Sequence, residues 1–220
     1  MKLEMIKIKN CLAAVLALGL CANTSCEISE QGSSSRPPEP QTYSLNGTKW
    51  ITSSIREGSD PRTFGRTEYQ VSGTERLLLR FEDLTKKVAE ISLAEGRRVF
   101  VDVSLQNGEN PQAALATLEV CPITKTWMRL ATWYNAYPMP GGNWSRDGGD
   151  FDASGCVRGE LKTQNGVNTV RYDVTQWVID YVKARSLNYG LILISNGGEI
   201  GVRGDADGTY SPRISWLYQP

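Results

Sequence analysis

The chain reads as an all-β protein, a jelly-roll-type antiparallel β-sandwich with one or two short helices, and three observations predict this. Short β-rich runs recur along the chain, turn-forming dipeptides separate them, and no repeated helix–strand unit of the kind that builds a parallel sheet is present. The runs are Lys49–Ser54, Arg76–Phe81, Arg97–Leu105, Leu115–Cys121, Thr169–Val174, Gly190–Ser195, Gly198–Arg203 and Arg213–Tyr218. The turn signals between them include Asp60-Pro61, Asn107-Gly108, Pro140-Gly141-Gly142-Asn143 and Asn196-Gly197.

Taken in order, the first element is an address. Lysines at 2, 7 and 9 precede the apolar run Cys11 to Leu20. At ten residues that run falls short of the roughly twenty needed to span a bilayer, so residues 1–25 read as a secretory signal. Asn23-Thr24-Ser25-Cys26 then puts small residues before a cysteine, as at the processing site of a bacterial lipoprotein. Cys26 is the expected lipidation site and Cys21 the competing one; ordinary signal cleavage is the plain alternative. Residues 26–44, rich in Ser, Pro and Glu, cannot bury apolar surface and read as a tether. The folded domain is expected over 45–220, in an exported protein of the bacterial envelope held by lipid at the outer membrane or surface.

Within the domain, alternation in Arg76–Phe81 sets Leu77, Leu79 and Phe81 on one face. Leu78 sits between Arg76 and Arg80 on the other, which predicts that this second face is partly covered too. A helix is expected over Glu82–Glu90. A second runs from 175 to 185, where Asp173 or Thr175 caps the free N–H groups and Trp177, Val178, Tyr181 and Val182 form an apolar stripe. Trp177 is expected in the core. Cys121 and Cys156 make an isolated pair, a disulfide in an oxidising compartment or else two buried thiols.

Composition narrows the function. Lysine plus arginine equals aspartate plus glutamate at 24 each, and no basic cluster tracks phosphates, so nucleic acid is not an expected partner. The chain has no histidine, which excludes Ser-His and Cys-His nucleophile pairs and His-rich zinc sites. Asp150, Asp152, Glu160 and Tyr172 could serve a polysaccharide-cleaving enzyme, a lyase or glycosidase, but nothing pairs them at a diagnostic spacing. No catalytic residue is assigned.

The segment from Pro122 to Arg158 sets Trp127, Trp133, Tyr134, Tyr137 and Trp144 among Pro, Gly and Asp. Exposed aromatic rings suit sugars, whose C–H faces lie flat on them with little rotamer entropy lost. Tyr134, Tyr137 and Trp144 are the candidate carbohydrate contacts, while Trp127 and Trp133 are expected to staple the segment down. Structural calcium is the one cofactor considered, at Asp147, Asp150 and Asp152 or at Asp205 and Asp207. Asp and Gly are equally the default turn residues, so both readings stand.

The C-terminal order Asp173-Val174-Thr175, Trp177-Val178, then Asn188-Tyr189-Gly190-Leu191, then Ser211-Pro212 with Ile214 and Trp216-Leu217-Tyr218 resembles the DNRLRE domains, extracellular β-sandwich modules related to carbohydrate-binding modules. Thr63-Phe64-Gly65, Leu78-Leu79-Arg80-Phe81, Trp127 and Thr132-Trp133-Tyr134-Asn135 continue the likeness upstream, over roughly residues 50 to 220. It departs from the family at Ser53 or Ser54, Glu82 and Arg129, where other residues are usual. The resemblance implies a non-catalytic module with affinity for an extracellular or cell-wall polysaccharide. The alternative is a structural or adhesive envelope protein that binds another protein.

Overall fold

The computed structural model describes residues 41–44, 50–58, 66–82, 84, 97–184, 188–204 and 212–218. The expected leader, Cys21, Cys26, Thr63-Phe64-Gly65, most of the Glu82–Glu90 helix, Asp205 and Asp207 lie outside the described residues. The chain divides into two units, Met1–Pro37 and Pro38–Pro220, and all the described residues belong to the second.

The protein is an antiparallel β-sandwich. One five-stranded sheet has the order β1 (Gln41–Ser44), β12 (Arg213–Tyr218), β5 (Arg97–Ser104), β9 (Val167–Asp173) and β8 (Glu160–Gln164). The other runs β2 (Trp50–Arg56), β4 (Glu75–Phe81), β10 (Leu191–Ser195), β6 (Leu118–Pro122) and β7 (Val157–Arg158). A two-stranded ribbon pairs β3 (Glu68–Val71) with β11 (Ile200–Arg203). The chain crosses repeatedly between the sheets, so their pairings join strands distant in sequence: β12 against β5, β10 against both β4 and β6.

Alternation decides what each strand buries. Leu77, Leu79 and Phe81 of β4 meet Val99, Val101 and Val103 of β5 and Val170 and Tyr172 of β9 in the core between the sheets. Leu78 points the other way and is equally buried, in a second core with Ile192, Ile194, Cys121, Trp127, Trp133 and Trp144. The second sheet is therefore covered on both faces, which is why β10 reads Leu-Ile-Leu-Ile-Ser without polar alternation and is buried throughout. On the outer face of the first sheet the cross-strand pair Asp102 and Arg171 forms a two-point ion pair at 2.7 and 2.9 Å.

Several elements differ from expectation. Gln41–Ser44, assigned to the tether on composition, pairs with β12 as an edge strand. Residues expected to open a strand at Leu115 are instead the end of helix α1 (Pro111–Thr117). The Asn110 side chain accepts from the N–H groups of Gln112 and Ala113, and Pro111 occupies the first turn, where its missing N–H costs nothing. The strand begins only at Leu118. The β8–β9 hairpin turns on Asn165-Gly166, both at positive φ (52° and 75°), the pairing that a two-residue hairpin loop demands.

Helix α2 (Thr175–Ala184) follows β9 directly. Asp173 Oδ1 accepts from the Thr175 N–H at 3.0 Å and from its hydroxyl at 2.6 Å, so Asp173 supplies the expected cap. The Thr175 hydroxyl oxygen in turn accepts from the Val99 N–H at 2.8 Å, tying the helix start to β5. Val178 is fully buried, and Trp177 and Tyr181 pack against the inter-sheet core while remaining partly exposed.

Candidate functional site

The aromatic segment from Pro122 to Arg158 lies over the outer face of the second sheet as a cap. Trp127 and Trp133 are buried as expected. The indole N–H of Trp127 donates to the Tyr189 carbonyl at 2.6 Å, anchoring the cap to the chain entering β10. Trp144, expected to meet ligand, is buried as well: its ring belongs to the second core and its N–H donates to the Thr132 carbonyl at 2.9 Å. A ring so enclosed offers no face to a sugar. Tyr137 is half-buried, with its hydroxyl donating to the Gly141 carbonyl at 3.1 Å, and only Tyr134 is open, at 48 % exposure. The three candidate sugar contacts therefore do not form one platform.

The aspartates of the cap have structural partners. Asp150 is buried, and its carboxylate accepts from the Ser145 N–H, the Ser145 hydroxyl and the Arg146 N–H at 2.8 to 3.0 Å. Burial pushes its pKa up, but these donors, with the nearby Lys125 charge, outweigh it and hold the carboxyl below its ordinary value. Asp152 caps the 3-10 turn Ala153–Gly155, accepting from the Ser154 hydroxyl at 2.6 Å and the Ser154 N–H at 2.9 Å, which lowers its pKa too. Asp147 is exposed. Among the described residues no group of three or more Cys, Asp or Glu side chains is placed to hold a metal ion.

Cys121 and Cys156 are joined in a disulfide, with Cα atoms 4.0 Å apart. The bond fastens the 3-10 turn to β6, and the turn forms one wall of a cleft of about 450 Å³. That volume lies within the roughly 300–1,000 Å³ usual for small-molecule sites. The opposite wall is α2, presenting Gln176, Trp177, Asp180 and Tyr181. Tyr189 and Ile123 line it from the chain flanking β10 and β6, and Asp173 and Val174 from the strand-to-helix turn. The Trp177 and Tyr181 rings stack near-parallel, 6.3 Å between centroids and 18° between planes. This cleft is the candidate functional site: aromatic side chains, an apolar floor of Val120, Val157 and Leu191, and polar groups at the rim.

The sequence puts Trp177 in the core and Tyr181 on the same apolar stripe, and both do pack against the inter-sheet core while also bordering the cleft. Helical spacing does put them on one face, and it sets Gln176 and Asp180 on the adjoining one, where the Gln176 amide donates to Asp180 at 2.8 Å. What the pattern lacks is the facing wall, which arrives from residues 152–157 through the disulfide.

The catalytic candidates are dispersed. Tyr172 is sealed in the inter-sheet core, and burial together with the Glu119 charge pushes its hydroxyl far above the ordinary tyrosine value. Glu160 is exposed on β8, paired with Lys162 at 3.0 Å. Asp150 and Asp152 serve the loop as described. No family model matches the chain, and no curated protein matches it.

Proposed function

We propose that the protein is an exported, non-catalytic binding module that holds an extracellular or cell-wall polysaccharide in the cleft between α2 and the disulfide-bound turn. The observation that carries this reading is the cleft's lining. Trp177, Tyr181 and Tyr189 supply partly exposed ring surface, and Gln176, Ser154, Asp152 and Asp180 set hydrogen-bonding groups around it. A pyranose needs both: an apolar C–H face on a ring, and polar partners for its hydroxyls. The resemblance to DNRLRE domains supports the same class, and a lipid on Cys26, or on Cys21, would hold such a module at the envelope.

The test is retention on a glycan array by the whole chain beside Tyr181→Ala and Tyr189→Ala variants, with thermal unfolding of each recorded. The reading expects at least one polysaccharide class to be held by the native chain and lost by variants that still unfold cooperatively. Retention of no glycan, or equal retention by folded variants, would overturn it.

One observation favours a protein-binding envelope module instead. The exposed large hydrophobics among the described residues, Met128, Leu130, Tyr134 and Met139, all belong to the cap. Their neighbours Trp127, Ala131, Trp133 and Ala136 face inward, so these four lie on the cap's outer side. If that face is the working surface, Met128→Ser with Met139→Ser abolishes adhesion and leaves glycan retention unchanged.

A further inference from the structure

We infer that the glycan recognised in this cleft carries free, protonated amino groups, as in a polymer of de-N-acetylated hexosamine; this rests on the polysaccharide reading above and names the ligand's charge. Among the described residues, the charged side chains lining the cleft are Asp152, Asp173 and Asp180, with neither Lys nor Arg beside them. Asp173 is already neutralised by Arg98 at 2.6 Å. Asp152 and Asp180 are different. Each is exposed, and their carboxylates accept from neutral donors: the Ser154 hydroxyl and backbone N–H for one, the Gln176 amide for the other. Hydrogen bonds of this kind orient a carboxylate without cancelling its charge.

The chain as a whole carries equal numbers of acidic and basic residues, so the negative cleft is a local feature and not the reflection of an acidic protein. The rings reinforce the sign. The faces of Trp177 and Tyr181 are electron-rich, and a cation resting near an indole or phenol is attracted by the same quadrupole that repels an anion. Aromatic surface alone would accept any pyranose. Aromatic surface with two carboxylates that have no cationic partner among the described residues discriminates: a uronic acid or sulfated sugar meets like charge, a neutral N-acetyl sugar gains nothing from the acids, and an ammonium on the ring gains from both.

The experiment compares three oligosaccharides of equal length with the whole chain: a β-1,4-linked glucosamine oligomer with its amines protonated, its N-acetylated counterpart, and a uronic acid oligomer. An oligolysine peptide is the fourth probe. The glucosamine oligomer is expected to bind at least about tenfold tighter than the N-acetylated one. Asp152→Asn with Asp180→Asn should erase that gap while thermal unfolding shifts little, because the Asn amide oxygen can take over the cap that Asp152 gives Ser154 and Asp180 is exposed. Equal affinity for the two hexosamine oligomers, or preference for the uronic acid, overturns the inference while leaving polysaccharide binding intact. Tighter binding of oligolysine overturns the sugar assignment, and failure of every glycan overturns the parent reading with it.

Discussion

The Arg76 guanidinium lies over the Trp133 ring, 4.8 Å from its centroid, while its Nη1 donates to the Gly148 carbonyl at 2.7 Å. Four residues along β4, on the same face, Arg80 repeats the arrangement, 5.0 Å from the Trp127 centroid with Nη1 donating to the Trp127 carbonyl at 2.9 Å. The two arginines thus pin the aromatic cap onto the outer face of the second sheet. Burial, with Arg146 nearby, lowers the Arg76 pKa, but a guanidinium starts so high that it stays charged.

Arg76→Ala should therefore destabilise the domain by about 2 kcal/mol, the sum of a part-buried cation–π contact and a charged hydrogen bond. Arg76→Lys should recover less than half, because an ammonium lacks the flat fork that stacks and donates together. Gly148→Ala should injure the same contact from the other side: the residue sits at φ +80°, and a Cβ would fall 2.6 Å from Arg76 Nη1. Urea unfolding midpoints check all three.

Asp150→Asn should cost about 2 kcal/mol at neutral pH, since an amide cannot accept all the hydrogen bonds the carboxylate receives. The pH dependence has a definite sign. The carboxyl's folded-state pKa is depressed, so its contribution is complete above the unfolded value of about 3.9 and is lost as pH falls through the folded one. The native and variant unfolding free energies should converge in that acid window; a gap that persists to lower pH would contradict the assignment.

Replacing both Cys121 and Cys156 by Ser should lower stability by about 3–4 kcal/mol, as expected for a cross-link spanning a sequence separation of 35 residues. The loss should be felt at the cleft as well, because Cys156 and its turn form one wall. Ligand dissociation measured with and without reductant checks this: faster release after reduction, in protein that remains folded, is the expected result.

Asn110→Ala should cost about 1 kcal/mol by leaving two helix N–H groups of α1 without their acceptor. Amide hydrogen exchange should accelerate over the first turn of α1 and leave β6 protected. Unchanged exchange at Gln112 and Ala113 would show that the cap carries no weight.

Much of the fold was legible in local pattern. Arg213–Tyr218 is a strand with the bounds its sequence gives, the two faces of Arg76–Phe81 divide as alternation requires, and Asp173 caps its helix. The arginines flanking Leu78 announced a covered second face, and the cap covers it. The misses are also physical. Gln41–Ser44 becomes a strand through the edge of β12, which no local signal reveals. Asn165-Gly166 was a readable hairpin signal between β8 and β9. Leu115 belongs to a helix whose start is set at Asn110, outside the run that was read as strand.

The site was less legible, for a reason that Trp144 and Trp177 illustrate together. A tryptophan in a glycine-rich loop and one on an amphipathic helix invite opposite assignments, yet the first is enclosed and the second borders the cleft. Side-chain alternation, capping and turn chemistry act between near neighbours, so the order of residues by itself determined that this chain makes antiparallel strands, where most of them lie and which faces are apolar. Which aromatic ring stays open depends on what the sheets bring against it from far along the chain, here a turn fastened by Cys121 to Cys156. Only the packed structure decided that, because burial is a property of neighbours in space.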